Sequence, residues 1–155
     1  MRQRIPSVRA ARLLFALVAG LVGSVSEVGS APMLAPTQES VADAHYTAGL
    51  EAKEAKRFGA AVDSFRRAVE GRPDFPEAWN ELGFALRQTG KYEDALKAYD
   101  RALKLRPNFP EALEYLGEAY AKLGRLDDAR AVLERLRRLD AARAQELDEA
   151  IRAAR

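Results

Sequence analysis

The sequence contains no cysteine, and His45 is its only histidine. These absences exclude disulfide bonds, thiol chemistry and metal sites built from cysteine or from several histidines. Paired carboxylates such as Glu93-Asp94 fall at predicted helix starts, where the helix dipole favours negative charge. No glycine-rich phosphate-binding loop follows a strand-like segment. We therefore expect a protein that is not an enzyme and that holds no metal ion or cofactor.

A surplus of positive charge is also missing outside the amino terminus. The chain has 25 lysine and arginine residues against 23 aspartate and glutamate residues. Residues 1–30 hold four arginines and one glutamate, so the remaining residues carry 21 basic and 22 acidic side chains. Because the basic surplus belongs to one short segment, it does not indicate a nucleic-acid partner.

The amino-terminal segment has the order of residues typical of a secretory signal peptide. Four arginines and no acidic residue occupy residues 1–12, an apolar run of 11 residues follows from Leu13 to Gly23, and small residues continue to Ala31. This run is shorter than the ~20 residues that span a bilayer. We predict a signal peptide over residues 1–30, a flexible linker over residues 31–40, and a periplasmic or secreted product with no stable membrane span after cleavage. An uncleaved amino-terminal membrane anchor stays open as the alternative.

The rest of the chain repeats with a period of 34 residues. The stretch from Pro76 to Phe109 recurs one period later, so that residues 73–76 (Pro-Asp-Phe-Pro) correspond to residues 107–110 (Pro-Asn-Phe-Pro). A weaker copy covers residues 42–75. A fixed period of roughly 20–50 residues is typical of stacked repeats rather than of a single globular core.

Each copy has the hydrophobic pattern of a pair of helices. In the middle copy, one apolar stripe lies within residues 79–86 and a second within residues 95–103, both at helical spacing. Gly90 lies between the stripes, where glycine commonly ends a helix, and Pro107 follows the second stripe. The pattern therefore predicts two short helices joined by a tight turn.

Extended along the chain, this pattern predicts seven helices. Their expected bounds are residues 41–55, 58–71, 76–89, 92–105, 110–123, 126–139 and 142–154. Ser40 is the predicted N-cap of the first helix, because a serine hydroxyl there can accept a hydrogen bond from a free backbone N–H. The sixth helix is expected to run past the usual stop, because Ala141 occupies the position of Pro107.

These positions resemble the tetratricopeptide repeat family, whose pattern is W-x2-L-G-x2-Y, then A-x3-F, then P. In the middle copy the matching residues are Trp79, Leu82, Gly83, Leu86, Ala95, Tyr99 and Pro107. The resemblance implies an all-α fold, a right-handed superhelical array of three helix-turn-helix hairpins at residues 42–75, 76–109 and 110–143. A C-terminal capping (solvating) helix at residues 142–155 would follow. Its apolar stripe, Ala144, Leu147, Ile151 and Ala154, is expected to cover Leu133, Leu136 and Leu139.

The resemblance also implies where a partner would bind, because the first helix of each pair lines a concave groove in this family. The predicted groove residues are Tyr46, Leu50, Lys53, Asn80, Phe84, Arg87, Glu111, Glu114, Glu118 and Lys122. We expect Phe84 to be an exposed aromatic side chain, and the three glutamates to form an acidic ridge. The alternative is that Phe84 packs against the neighbouring repeat and that the ridge only makes the surface soluble.

One binding mode of the family is not expected here. Some members grip a terminal carboxylate with lysines, an arginine and asparagines. The matching positions in this sequence hold Tyr46, Leu50, Glu81, Glu111 and Tyr115, which would repel or ignore such a ligand. The expected partner is instead an extended or helical protein segment with apolar and basic residues.

The sequence therefore predicts an exported, non-enzymatic adaptor that binds another protein in its groove. The alternative is a structural role, in which the repeats self-associate, for example as a homodimer, or form a permanent subunit of a cell-envelope assembly.

Overall fold

The structure, a computed structural model, describes residue 35 and residues 37–154. These residues form seven α-helices and no strand. The helices are α1 (Gln38–Glu54), α2 (Phe58–Gly71), α3 (Pro76–Gln88), α4 (Tyr92–Leu105), α5 (Pro110–Lys122), α6 (Leu126–Leu136) and α7 (Ala141–Ala153). The predicted signal peptide and residues 31–34 and 36 of the predicted linker lie outside the described residues. Within the described ranges, no helix is long and apolar enough to cross a membrane.

The helices form three hairpins, α1–α2, α3–α4 and α5–α6, which stack in chain order, and α7 packs on α5 and α6. The core runs continuously through all three hairpins into α7. Its largest fully buried side chains are Phe65, Tyr99, Leu113, Leu136, Leu147 and Ile151. The predicted all-α repeat array is confirmed.

The first helix begins earlier than predicted. The hydroxyl of Thr37 accepts a hydrogen bond from the backbone N–H of Ser40 at 3.1 Å, so Thr37, not Ser40, is the N-cap of α1. Asp43, in the first turns of α1, forms an ion pair with Arg72 at 2.8 Å. The prediction of Ser40 was wrong because Thr37 and Ser40 both carry a hydroxyl group that can cap a helix, and the residue types alone do not distinguish them.

The turn inside each hairpin has the same backbone geometry. Gly90 and Gly124 have positive φ angles of 78° and 72°, and Lys56, at the equivalent position of the first hairpin, has φ of 56°. In each turn the N–H of the next residue reaches back to a carbonyl in the last turn of the first helix, as from Lys91 to Leu86 at 2.9 Å. The sequence pointed to this turn through Gly90, whereas Lys56 adopts it without the conformational freedom of glycine.

In the first two hairpins, a large side chain of the second helix packs against a glycine of the first helix. A Cβ atom added to Gly83 would lie 2.6 Å from Cε1 of Tyr99, and one added to Gly49 would lie 2.5 Å from Cε1 of Phe65. In the third hairpin the corresponding glycine, Gly117, contacts Leu147 of α7. These aromatic and aliphatic side chains lie directly on the helix backbone, and the spacing between helices depends on the missing side chain.

We expect Gly83→Ala to lower the free energy of unfolding by about 1–3 kcal/mol, because the methyl group overlaps the buried ring of Tyr99. The measurement is equilibrium denaturation followed by far-UV circular dichroism. Gly59→Ala is the matched control, since nothing lies within 4 Å of a Cβ atom there and alanine favours helix over glycine by up to about 1 kcal/mol. Equal stability of the two variants would contradict the close contact.

The sixth helix ends at Leu136 and does not extend to residue 139 as predicted. The backbone N–H groups of Leu139 and Asp140 both donate to the carbonyl of Leu136, at 2.9 and 2.8 Å, and close a turn. The Asp140 carboxylate then accepts from the backbone N–H of Arg143 at 3.1 Å and caps α7. An aspartate cap therefore separates the two helices, although no proline is present.

The capping helix buries most of its predicted stripe. Ala144, Leu147 and Ile151 are buried, and they pack with Leu133 and Leu136 in the continuous core. Two parts of the prediction are wrong, because Ala154 is exposed beyond the helix end and Leu139 is 40% exposed. Leu139 lies in the turn before α7, so α7 does not cover it.

We expect Leu147→Ala to cost about 2–5 kcal/mol of stability, because it leaves a cavity beside Gly117 in a fully buried position. Leu139→Ala is the control with the same chemical change at an exposed position, and it should change stability little. Urea denaturation of both variants measures the difference. A small loss in both variants would contradict the capping role of α7.

Candidate functional site: the concave face

The first helices of the three hairpins together line one depression. Its walls come from α1, α3 and α5, and its volume is about 330 Å³. The lining residues are Tyr46, Lys53, Glu77, Asn80, Glu81, Phe109, Glu111 and Tyr115. Four of the predicted groove residues, Tyr46, Lys53, Asn80 and Glu111, are therefore brought together here.

The charged groups of this depression are mostly acidic. Glu77, Glu81 and Glu111 line it, against a single cation, Lys53. Lys53 donates to Oε2 of Glu81 at 2.6 Å. The other two glutamates pair with arginines that are not lining residues: Glu77 with Arg106, and Glu111 with Arg143 at 3.0 Å. The lining itself therefore carries more negative than positive charge.

Three aromatic side chains, Tyr46, Phe109 and Tyr115, also line the depression. The ring of Tyr46 lies 4.7 Å from that of Phe75 and 5.8 Å from that of Phe65, measured between centroids. Burial raises the pKa of Tyr46, and the nearby carboxylates of Glu81, Glu77 and Glu111 raise it further. The three glutamates therefore all raise the pKa of the same group, the hydroxyl of Tyr46.

Asn80 is a buried polar residue in this wall. Its side chain is only 3% exposed, and no described residue donates a hydrogen bond to its Oδ1 atom. A buried acceptor without a partner costs about 1–3 kcal/mol, so such positions need an explanation. The sequence placed Asn80 in the groove but gave no sign of its burial or of its unused acceptor.

Phe84 is not the exposed groove aromatic that was predicted. Its ring lies 6.2 Å from that of Phe58 and 5.4 Å from that of Tyr115, and Lys53 Nζ lies 5.4 Å from its centroid. Phe84 is half-buried and links all three hairpins, as the alternative interpretation proposed. Leu50 is likewise half-buried and packs against the core.

Each glutamate of the predicted acidic ridge is engaged by an arginine. Glu114 is only 4% exposed and accepts a hydrogen bond from Arg143 of α7, which also binds Glu111. Glu118 pairs with Arg87 of α3 at 2.6 Å. The sequence could not show this, because Arg143 and Arg87 lie about one repeat away from the ridge and only stacking brings them beside it.

The remaining predicted groove residues lie at a second depression. Arg87, Glu118 and Lys122 line it together with alanines of α5 and α7 and Ala154, and its volume is about 190 Å³. The structure therefore divides the predicted groove into an acidic depression between α1, α3 and α5 and a smaller one beside α7. In the described part of the chain, no three histidine, aspartate or glutamate side chains are grouped as metal ligands.

Comparisons with known proteins agree with this architecture. A TPR repeat model matches residues 85–124, and Tetratricopeptide repeat models match residues 52–101 and 111–141. Together these matches cover more than half of the chain. The chain belongs to the tetratricopeptide repeat family. A search of curated proteins found no match.

Several solved structures of tetratricopeptide repeat domains are similar to this chain. The TPR2B domain of yeast Sti1 in a pHsp70 complex matches with a TM-score of 0.68 and 20% identity over 73% of this chain and 94% of that chain. The first TPR of Spaghetti (RPAP3), bound to the HSP90 peptide SRMEEVD, matches with a TM-score of 0.70 and 20% identity over 76% of this chain and 95% of that chain. The Arabidopsis OM64 TPR domain matches with a TM-score of 0.71 and 16% identity over 75% of this chain and 98% of that chain. At these identities the likeness shows the shared fold.

We expect Glu114 to remain protonated at a higher pH than an ordinary glutamate, because burial raises its pKa more than the bond from Arg143 lowers it. Glu77, also partly desolvated, has its pKa lowered overall because the bond from Arg106 prevails. A raised carboxyl pKa means that the folded protein binds the proton more tightly. The stability contribution of Glu114 therefore falls as the pH rises from its unfolded pKa through its folded pKa.

The measurement is a carbon-13 NMR titration of the glutamate carboxyl groups. Arg143→Met should raise the pKa of Glu114 further and leave that of Glu77 unchanged, whereas Arg106→Met should raise that of Glu77 alone. A Glu114 carboxyl that titrates below the ordinary glutamate range in the unmodified protein would contradict the dominance of burial.

Proposed function

We propose that this tetratricopeptide repeat protein is an exported, non-enzymatic module that binds a segment of another protein in its concave depression. The repeat family is a protein-interaction fold, and the similar structures include domains bound to chaperone peptides. Export rests on the signal-peptide pattern of residues 1–30. The segment can be extended or helical, since both forms fit a concave helical surface.

The observation that carries this proposal is the single depression lined by all three hairpins. Its lining combines three carboxylates with the aromatic side chains of Tyr46, Phe109 and Tyr115. Such a mixture suits a partner segment that presents apolar anchors and at least one basic side chain. Because the three walls come from different hairpins, the surface exists only in the stacked array.

The chemistry of this surface argues against an acidic peptide. The HSP90 peptide in the similar RPAP3 structure, SRMEEVD, ends in an acidic stretch. In the present chain the depression holds Glu77, Glu81 and Glu111, which would repel such a ligand. We therefore propose a basic and apolar segment, and we place its contact at these three glutamates. Glu114, which is buried beneath Arg143, and Glu118, which lines the other depression, are the less suitable contacts.

The proposal is tested by selecting binding peptides from a random dodecapeptide phage library with the purified full-length protein. We expect enriched sequences that combine lysine or arginine with apolar residues. The double variant Glu77→Lys and Glu111→Lys should bind these peptides at least about tenfold more weakly, which corresponds to 1.4 kcal/mol. The loss should be larger at low ionic strength, because salt screens the interaction between exposed charges.

The matched control carries two charge reversals away from the depression, Glu70→Lys and Glu93→Lys, at exposed positions of α2 and α4. This variant should bind the selected peptides as the unmodified protein does. Failure to enrich any sequence, or equal loss in both double variants, would contradict the proposal. Light scattering should show a monomer, and a stable dimer would favour the structural role instead.

A further inference from the structure

The depression between α1, α3 and α5 contains hydrogen-bond acceptors that the chain itself does not use. Lys53 occupies Oε2 of Glu81, and Arg143 occupies Oε1 of Glu111. The second oxygen of each of these carboxylates receives no hydrogen bond from a described residue. The Oδ1 atom of Asn80 is likewise without a donor within residues 37–154. Carboxylates accept several hydrogen bonds each, so both retain capacity for a donor from outside.

The charge and the size of the depression limit which hydrogen-bond donors from outside the chain it can bind. Among its lining residues three carboxylates face one ammonium group, that of Lys53. The further cations, Arg106 and Arg143, reach two of the glutamates from outside the lining. A volume of about 330 Å³ lies at the lower end of ordinary ligand pockets, which span roughly 300–1,000 Å³. A space of this size, with carboxylates in its lining, can hold the end of one cationic side chain of the partner segment.

The aromatic residues of this face favour cations as well. Lys53 Nζ lies 5.4 Å from the ring centroid of Phe84, and the guanidinium of Arg87 lies 5.3 Å from that of Tyr115. Cations within about 6 Å of an aromatic ring are attracted by its electron-rich face. Tyr46 lines the depression and offers ring surface to a bound cation, whereas the ring of Tyr115 already has Arg87 beside it.

We propose that this depression binds the ammonium or guanidinium group of a partner polypeptide, held between the carboxylates of Glu81 and Glu111, with the amide oxygen of Asn80 as a third acceptor. The inference rests on the function proposed above, because it assigns the position at which the basic group of the partner segment binds. The neighbouring Glu114 does not serve, because it is buried beneath Arg143.

The test uses small probes that need no knowledge of the partner. The purified full-length protein is titrated with n-butylammonium chloride, n-butylguanidinium chloride and glycinamide, and the side-chain amide of Asn80 and the ring of Tyr46 are followed by NMR. The probes stand for a lysine side chain, an arginine side chain and a chain amino terminus. The neutral control is n-butanol, which has the same number of heavy atoms as butylammonium.

We expect saturable, salt-sensitive shifts with at least one cation and none with n-butanol. Stronger binding of the butyl probes assigns the site to a side chain, and stronger binding of glycinamide assigns it to an amino terminus; both support the cation site. Absence of a saturable shift with every cation, or equal shifts with n-butanol, would overturn the proposal.

Variants distinguish a role of these residues in cation binding from a role in the stability of the fold. Glu81→Gln and Glu111→Gln should each weaken butylammonium binding by about three- to tenfold, and Glu70→Gln, at an exposed position of α2, should not change it. Asn80→Leu should weaken binding without lowering the melting temperature, because it removes a buried acceptor that has no partner in the fold. Unchanged affinity in both glutamine variants, or a marked fall in the melting temperature of Asn80→Leu, would overturn the corresponding assignment.

The result of the probe titration does not depend on the result of the peptide selection, so the two proposals can be contradicted separately. If selected peptides bind the concave face but none of the three cations binds, this inference is overturned and the proposed function is still supported. Cation binding without any selected peptide would support the site and contradict the proposed function.

Discussion

The close contact between a glycine of one helix and a large side chain of the next is the constraint on which the structure depends. The ring of Phe65 lies on Gly49, and the ring of Tyr99 lies on Gly83. Each contact buries a large apolar surface where two backbones approach. Because this spacing sets the geometry of a hairpin, it also sets how the first helices of successive hairpins lie beside one another. The concave depression is the space that remains between α1, α3 and α5.

Ion pairs repeat with the same period as the helices. Asp43 pairs with Arg72, and Glu77 pairs with Arg106, one repeat later at both ends. In the third hairpin the pattern changes, because Asp140 occupies the arginine position and caps α7. Glu111 then finds its cation three residues further on, at Arg143, which also neutralises the buried Glu114. The capping helix therefore closes the array by apolar burial and also supplies the charge that the last repeat lacks.

The same pairing determines which part of the concave face can serve a partner. The third hairpin has the densest run of glutamates in the sequence, yet two of its carboxylates are engaged by Arg143 and one by Arg87. In the depression between α1, α3 and α5, the second carboxylate oxygens of Glu81 and Glu111 and the Oδ1 atom of Asn80 accept no hydrogen bond from a described residue. Partly buried ion pairs orient charged side chains and leave specific atoms exposed to a ligand, which a count of charges along one helix does not show.

The sequence by itself determined the repeat length, the number and approximate bounds of the helices, and the turn at Gly90. These features follow from local periodicity and from backbone preferences that act over a few residues. It also named four of the eight residues that line the depression between α1, α3 and α5. Only the tertiary structure decided what those residues do there. Phe84 packs between hairpins and Glu114 is buried beneath Arg143, in both cases through side chains that lie about one repeat away. Asn80 is buried with an oxygen that accepts no hydrogen bond from a described residue. Burial and pairing at such distances depend on how the hairpins stack, and that arrangement is not encoded in the spacing of any single helix.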